Sequence, residues 1–206
     1  MSQQAQEEFG NYKLVQKIGE DVMAAVFKAE ETTTGRTVIL KMLSGTVSSN
    51  ELFAKFYGDR DAVMAHQVEH PNIVSVLDAG EVGKRYYVAV EYVEGQTLAR
   101  RLKEGKIQAE EGLEVLRQLA EALRAAHQKQ VVHGDIKPSN IILTRDRRNQ
   151  LLVKLSFVDL ALSGLDSTVS IFGEMLGTPK YMTPEQIKCR VPDARSDMYA
   201  LGVTAY

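Results

Sequence analysis

The chain has 206 residues, of which 44% are hydrophobic and 25% are charged, as in ordinary globular proteins that form one large domain or two small lobes. The net charge of −2 argues against a general nucleic-acid-binding or basic membrane-surface protein. The single cysteine excludes an intrachain disulfide, and no run approaches the ~20 apolar residues of a membrane span. We therefore expect a cytoplasmic protein, or the cytosolic part of a longer one.

The first half of the chain alternates short β-rich runs with turns. Residues 1–8 are predicted to be a flexible polar tail, which lacks the apolar region of a secretion signal. Antiparallel strands are predicted at 12–18, 24–31, 36–43, 73–80 and 85–93, with a turn at 32–35. Apolar residues at helical spacing predict one helix over 50–68.

The second half changes to helical periodicity. Helices are predicted at 98–105, 110–129 and from 194 to the last residue, and a strand pair is predicted at 141–144 and 151–158. In the longest helix, the expected inner face is Leu113, Leu116, Leu119 (or Ala120), Leu123 and Ala126. The predicted class is α+β, with a β-rich lobe at 9–93 that contains one helix and a mainly helical lobe at 94–206.

Five segments of the sequence share one further pattern. They are HPNIVSVLDAG (70–80), VAVEYVEGQTL (88–98), HGDIKPSNIIL (133–143), GTPKYMTPEQ (177–186) and SDMYALGV (196–203). In this order and spacing they resemble the eukaryotic-like Ser/Thr protein kinases of bacteria. The resemblance implies a two-lobed kinase fold whose helical lobe is incomplete at Tyr206. Such a lobe would expose apolar surface to a protein partner or to a second copy of the chain.

The resemblance also implies roles for individual residues in phosphoryl transfer, which depends on positioning and charge neutralisation. Asp135 matches the acid that takes the proton of the substrate hydroxyl, Lys137 the cation near the transferring phosphate, and Asn140 a magnesium ligand. Lys41 matches the lysine that holds the ATP phosphates. The other matched positions are Val26, Ile39 and Ile142 around the adenine, Gly19 in the phosphate loop, Glu91 and Val93 in the hinge, and the structural Thr178, Glu185 and Asp197.

Several positions depart from the family's pattern. The phosphate-covering loop keeps its first glycine but has Asp21 and Ala24 in place of the other two, and Asp21 adds negative charge where phosphates would lie. Asp61 stands where a longer glutamate usually pairs with the lysine. Gly134 replaces an arginine that commonly binds an activation-loop phosphate. Ile39 replaces an alanine, and overfilling the adenine slot would cost ~1–3 kcal/mol.

Two alignments remain open for the metal-binding aspartate. Without a gap in VKLSFVDLAL, Phe157 takes its place, and a phenyl ring offers Mg²⁺ no oxygen ligand. Loss of the metal would then lower the rate by about three decades or more. In the other alignment Asp159 is the ligand. The longer than usual loop at 144–150 permits this alignment, and a two-residue shift along a strand keeps the side chain on the same face.

Three functional hypotheses follow. The departures act against ATP and Mg²⁺ binding and favour a pseudokinase, a binding or regulatory module with the kinase fold. The alternative is a weakly active Ser/Thr protein kinase that uses Asp159 as its metal ligand. A third hypothesis, a small-molecule phosphotransferase, rests on the resemblance of HGD....N to aminoglycoside and choline phosphotransferases; segments 177–186 and 196–203 favour a protein kinase over it.

Overall fold

The computed structural model describes residues 7–20, 24–45, 68–157, 179–188 and 190–206. They fall into two compact units: residues up to Gln67 with Ser75–Tyr92, and Val68–Val74 with Val93–Tyr206. The predicted boundary between 93 and 94 stays a prediction, but the short segment 68–74 groups with the second unit. The helix predicted over 50–68 lies outside the described residues, except for Val68.

The first unit is a six-stranded antiparallel sheet. Its strands are β1 (Glu8–Phe9), β2 (Tyr12–Glu20), β3 (Ala24–Glu31), β4 (Thr37–Leu43), β5 (Val76–Val82) and β6 (Arg85–Glu91), in the order β1-β2-β3-β4-β6-β5. In the turn after β3, Gly35 donates to the Glu31 carbonyl at 2.8 Å and has a φ of 70°, which glycine adopts without strain. The β3–β4 hairpin therefore forms at the predicted turn.

Strand β1 was not predicted, because Glu8 was counted with the polar tail. Glu8 pairs with Lys13, and the ring of the next residue, Phe9, packs edge-on against Tyr87 of β6 with centroids 5.8 Å apart. The hydroxyls of Tyr87 and Tyr12 both donate to Asp78 Oδ2, at 2.8 and 3.1 Å. Burial, and then the charge of Asp78, raise the pKa of Tyr12. These contacts fix β1 and the first residue of β2 against β5 and β6.

The two faces of the sheet differ in chemistry. Residues opposite one another, and residues two apart on a strand, share a face. One face carries Val26 and Lys28 of β3, Ile39 and Lys41 of β4, and Val88 and Val90 of β6. The buried core on the other side contains Leu14, Ala29, Val38, Leu40, Met42 and Ala89. Lys41, only 7% exposed, is thus placed among aliphatic side chains.

The second unit is built on a long helix, α2. Its elements are β7 (Gln96–Thr97), α1 (Leu98–Lys103), α2 (Ala109–Gln128), β8 (Ile141–Arg145), β9 (Leu151–Leu155), α3 (Pro184–Ile187) and α4 (Ala194–Ala205). The strands form a sheet in the order β7-β8-β9. Its core includes Leu119, Leu123, Ile136, Ile141 and Leu155. No helix within the described ranges is both long and apolar enough to cross a membrane.

The inner face of α2 differs from the prediction at one end. Leu113 is 68% exposed, whereas Gln118 is 5% exposed. Gln118 Oε1 accepts hydrogen bonds from Asn72 Nδ2 at 2.7 Å and from the Val153 amide at 2.8 Å. A buried glutamine is stable here because both ends of its amide have partners: Nε2 donates to the Leu151 carbonyl at 2.9 Å.

Candidate active site

The loop between α2 and β8 brings three predicted site residues together. Asp135 Oδ2 lies 2.5 Å from Lys137 Nζ. Asn140 Nδ2 donates to the Asp135 carbonyl at 2.9 Å and to its Oδ2 at 3.1 Å. The single 3₁₀ turn Pro138–Asn140 makes this possible, because it folds Asn140 back and proline suits its first position. A carboxylate, a cation and an amide are therefore held within hydrogen-bonding distance of one another.

The carboxylate of Asp197, on α4, is hydrogen-bonded to the backbone of this loop. Asp197 is 0% exposed. Its Oδ2 accepts from the His133 amide at 2.8 Å, and its Oδ1 accepts from the Gly134 amide at 2.7 Å. His127 Nε2 on α2 makes a third contact with Oδ2, at 2.7 Å. Three hydrogen bonds to one buried carboxylate connect α2, α4 and the loop.

The backbone at Gly134 has a φ of 71°, in the left-handed region. An L-residue pays about 1–2 kcal/mol to adopt this conformation, because its Cβ approaches the following carbonyl oxygen. The absence of the family's arginine at this position therefore coincides with a local backbone conformation that favours glycine.

We expect Gly134→Ala to lower the free energy of unfolding by about 1–2 kcal/mol. That corresponds to a melting temperature about 2–8 °C lower for a chain of this size. The matched control is Gly112→Ala in α2, where a Cβ would lie no nearer than 3.9 Å to Ile107 and alanine is the better helix former by ~1 kcal/mol. Thermal unfolding followed by circular dichroism should shift in opposite directions for the two variants; equal shifts would contradict the backbone argument.

His133 is a packing residue with both ring nitrogens engaged. Its Nε2 lies 2.8 Å from the Ser156 carbonyl and must donate to it, while Nδ1 accepts from the Asp135 amide at 3.2 Å. This arrangement requires the neutral ring, protonated at Nε2. The ring of Phe157 packs on His133 with centroids 4.6 Å apart and also contacts the hydrophobic core. Phe157 is therefore a packing residue as well.

The described residues fit a magnesium ion only in part. Asn140 directs its Nδ2 at Asp135, so its carbonyl oxygen faces the other way and is a suitable ligand atom. Phe157 supplies no oxygen. The described ranges contain no group of three acidic, histidine or cysteine residues suited to a metal. The second ligand that one of the two alignments predicts, Asp159, lies outside the described residues.

The residues predicted to contact the nucleotide are distributed over both units. In the first, Val26, Ile39 and Lys41 share one sheet face, and Gly19 pairs with Val26. Ala24 is buried in β3, and Glu91 at the end of β6 accepts from the Ser75 amide at 2.9 Å. In the second unit, Val93 is half-buried and Ile142 alternates with the buried residues of β8. The roles of all these residues stay predictions.

Of the remaining predicted positions, one lies within the described ranges and three lie outside them. Asp21, Asp61 and Thr178 lie outside them. Glu185 accepts a hydrogen bond from the Ser196 hydroxyl, which lowers the pKa of its carboxyl together with its own backbone amide. Glu185 therefore links α3 to the first turn of α4.

Two residues that support the loop, one directly and one through Asp197, were not singled out from the sequence. His127 binds Asp197, and Gln186 Nε2 donates to the Gly134 carbonyl at 2.6 Å. A sequence signal for Gln186 does exist, because Thr183-Pro-Glu-Gln186 has the spacing of a capping box, which α3 forms. Nothing in that spacing indicates its contact with Gly134.

The family model for the protein kinase domain matches residues 12–206. The chain belongs to the protein kinase family. It is 35% identical over 199 residues to serine/threonine-protein kinase pkn2 of Myxococcus xanthus, covering 96% of this chain and 24% of that protein. It is 36% identical over 199 residues to serine/threonine-protein kinase PrkC of Bacillus subtilis, covering 96% of this chain and 30% of that protein. The chain thus spans about a quarter to a third of the length of these curated relatives.

The kinase fold is also found by comparison with solved structures. The crystal structure of the Mycobacterium tuberculosis PknI kinase domain matches with a TM-score of 0.73 and 25% identity, covering 99% of this chain and 76% of that one. The predicted class is therefore confirmed: an α+β kinase fold with an antiparallel-sheet lobe and a mainly helical lobe.

Proposed function

We propose that this kinase domain is active and transfers the γ-phosphate of ATP to serine or threonine hydroxyls of proteins. The observation that carries the proposal is the loop geometry, in which the side chains of Lys137 and Asn140 both contact Asp135. The buried carboxylate of Asp197 holds the backbone just before Asp135, at His133 and Gly134. A carboxylate, a cation and an amide in mutual contact on an anchored loop are suited to phosphoryl transfer, which depends on positioning and charge neutralisation. The curated relatives, named as Ser/Thr protein kinases, support this hypothesis over the pseudokinase that the sequence departures favoured.

In this proposal each side chain has one task. The Asp135 carboxylate accepts the proton of the substrate hydroxyl, and Lys137 Nζ offsets charge at the transferring phosphoryl group. Lys41 holds the nucleotide phosphates, and Val26, Ile39 and Ile142 contact the adenine. Asn140 and Asp159 would hold Mg²⁺, which supplies charge neutralisation when bound.

A pseudokinase remains the second candidate, and the packing of Phe157 favours it. At the position where the ungapped alignment requires the metal-binding acid, a phenyl ring packs on His133 at 4.6 Å. Such a module would act through a protein partner or a second copy of the chain. Exposed apolar side chains for that purpose lie on and between α3 and α4: Ile187, Val191, Met198 and Tyr199.

Calorimetric titration with ATP, with and without Mg²⁺, separates the two candidates. For an active kinase we expect Mg²⁺ to tighten ATP binding at least tenfold, which is about 1.4 kcal/mol, and Asp159→Ala to remove this effect. Asp166→Ala, the same change nearby in the sequence, should not. Transfer of labelled γ-phosphate to casein completes the test. If Mg²⁺ leaves the ATP affinity of the unmodified chain unchanged and the chain labels no substrate, the protein is a pseudokinase.

A further inference from the structure

The Gln186 side chain joins α3 to the catalytic loop. Its Nε2 donates to the Gly134 carbonyl at 2.6 Å, and its Oε1 accepts from the backbone amide and the hydroxyl of Thr183 at 3.0 and 3.1 Å. The partners fix the orientation of the amide, because a carbonyl requires the donor and a backbone amide requires the acceptor. One end of the amide therefore caps α3 while the other end holds the loop.

The peptide groups around Gly134 are held from two sides. The Gly134 amide donates to Asp197 Oδ1 at 2.7 Å, and its carbonyl accepts from Gln186. That carbonyl belongs to the peptide group that joins Gly134 to Asp135. The Asp135 amide donates to His133 Nδ1 at 3.2 Å, and its carbonyl accepts from Asn140 at 2.9 Å. Each backbone polar group from the Gly134 amide to the Asp135 carbonyl thus has a partner.

We propose that Gln186 is a positioning residue, which fixes the peptide group that carries Asp135 and couples it to the segment 183–187. The inference deepens the proposed function and rests on it for its kinetic consequence. The link is a neutral amide, so it needs neither an arginine at position 134 nor a phosphate. This contact therefore does not itself depend on phosphorylation of the chain.

Gln186→Glu separates the two ends of the amide. A glutamate keeps an oxygen for Thr183 and so retains the cap, but it places an acceptor against the Gly134 carbonyl, where no hydrogen bond can form. We expect the backbone ¹⁵N resonance of Asp135 to move, because the hydrogen bond that polarises its peptide group is lost. We also expect kcat to fall about tenfold, equivalent to about 1.4 kcal/mol, with the KM for ATP within twofold of the unmodified chain.

Two further variants serve as controls. Lys188→Gln changes the net charge by the same one unit next to α3 and should leave both the Asp135 resonance and kcat unchanged. Gln186→Lys keeps a donor for Gly134 but has no acceptor for Thr183, so it should retain most of kcat while weakening the cap.

The Asp135 resonance and kcat test different parts of the proposal. An Asp135 resonance that does not move in Gln186→Glu overturns the proposal whatever the activity. A resonance that moves while kcat stays the same overturns the positioning role and leaves a structural contact. If the unmodified chain transfers no phosphate, the proposed function fails by itself, and the resonance still decides whether Gln186 holds the loop.

Discussion

Replacing Asp135 with asparagine is expected to lower the rate of phosphoryl transfer by about 10²–10⁴-fold, the usual contribution of a positioned general acid–base group. The asparagine has nearly the same shape, but its amide cannot take a proton from a hydroxyl at neutral pH. It also loses the negative charge that Lys137 Nζ contacts at 2.5 Å. ATP affinity should change little, because the proposed role of Asp135 is at the substrate hydroxyl. The melting temperature should also change little, because an asparagine oxygen can still accept from Asn140.

The matched control is Asp146→Asn in the loop between β8 and β9. There the Asp146 side chain accepts from the amides of Arg148 and Gln150, both at 2.8 Å, and an asparagine oxygen can do the same. Initial rates with labelled ATP and a calorimetric titration of each variant are the measurements. A rate for Asp135→Asn within threefold of the unmodified chain would show that Asp135 is not the base.

Replacing Asp197 with alanine is expected to lower the free energy of unfolding by about 3–5 kcal/mol, as when one partner of a buried charged network is removed. The change leaves the backbone amides of His133 and Gly134 without their acceptor, the first buried and the second partly buried. The melting temperature would fall by roughly 6–20 °C. Denaturant titration followed by circular dichroism measures the loss.

Asp193→Ala is the control for this second prediction. Asp193 caps the same helix, α4, but at the protein surface, and removal of such a cap costs about 0.5–2 kcal/mol. The expected order is a larger loss for Asp197 than for Asp193. Equal losses would mean that Asp197 contributes only to the helix and not to the loop.

Local patterns predicted most of the strands and long helices, but not which residues of α2 are buried. Leucine spacing placed Leu113 on the inner face, yet no described residue of the second unit covers its side chain, and Leu113 is exposed. Gln118 is buried because Asn72 and β9 supply partners for its amide. Those partners are distant in sequence, so no local periodicity can reveal them.

At the candidate site, too, local features could be predicted from the sequence and contacts between distant residues could not. Asp135, Lys137 and Asn140 lie within six residues of one another, so their clustering followed from the sequence alone. Gly134 was interpreted as the loss of an arginine, because a sequence does not show that the backbone there has a φ of 71°. The contact of Gln186 spans 52 residues and depends on how α3 packs beside the loop.

The grouping of residues 68–74 with the second unit affects how such a domain can be inherited. Leu155 in β9 hydrogen-bonds with both Asn72 and Val74, at 2.8 and 2.9 Å, so part of that unit is encoded before the β5–β6 hairpin and the rest after it. Neither unit is one continuous stretch of gene. A recombination event that exchanged everything from Val93 onward would leave the Leu155 backbone and the Gln118 amide with partners from another ancestor. Because Asn72 would stay with the recipient, successful exchange would favour donors that keep a glutamine at the position of Gln118.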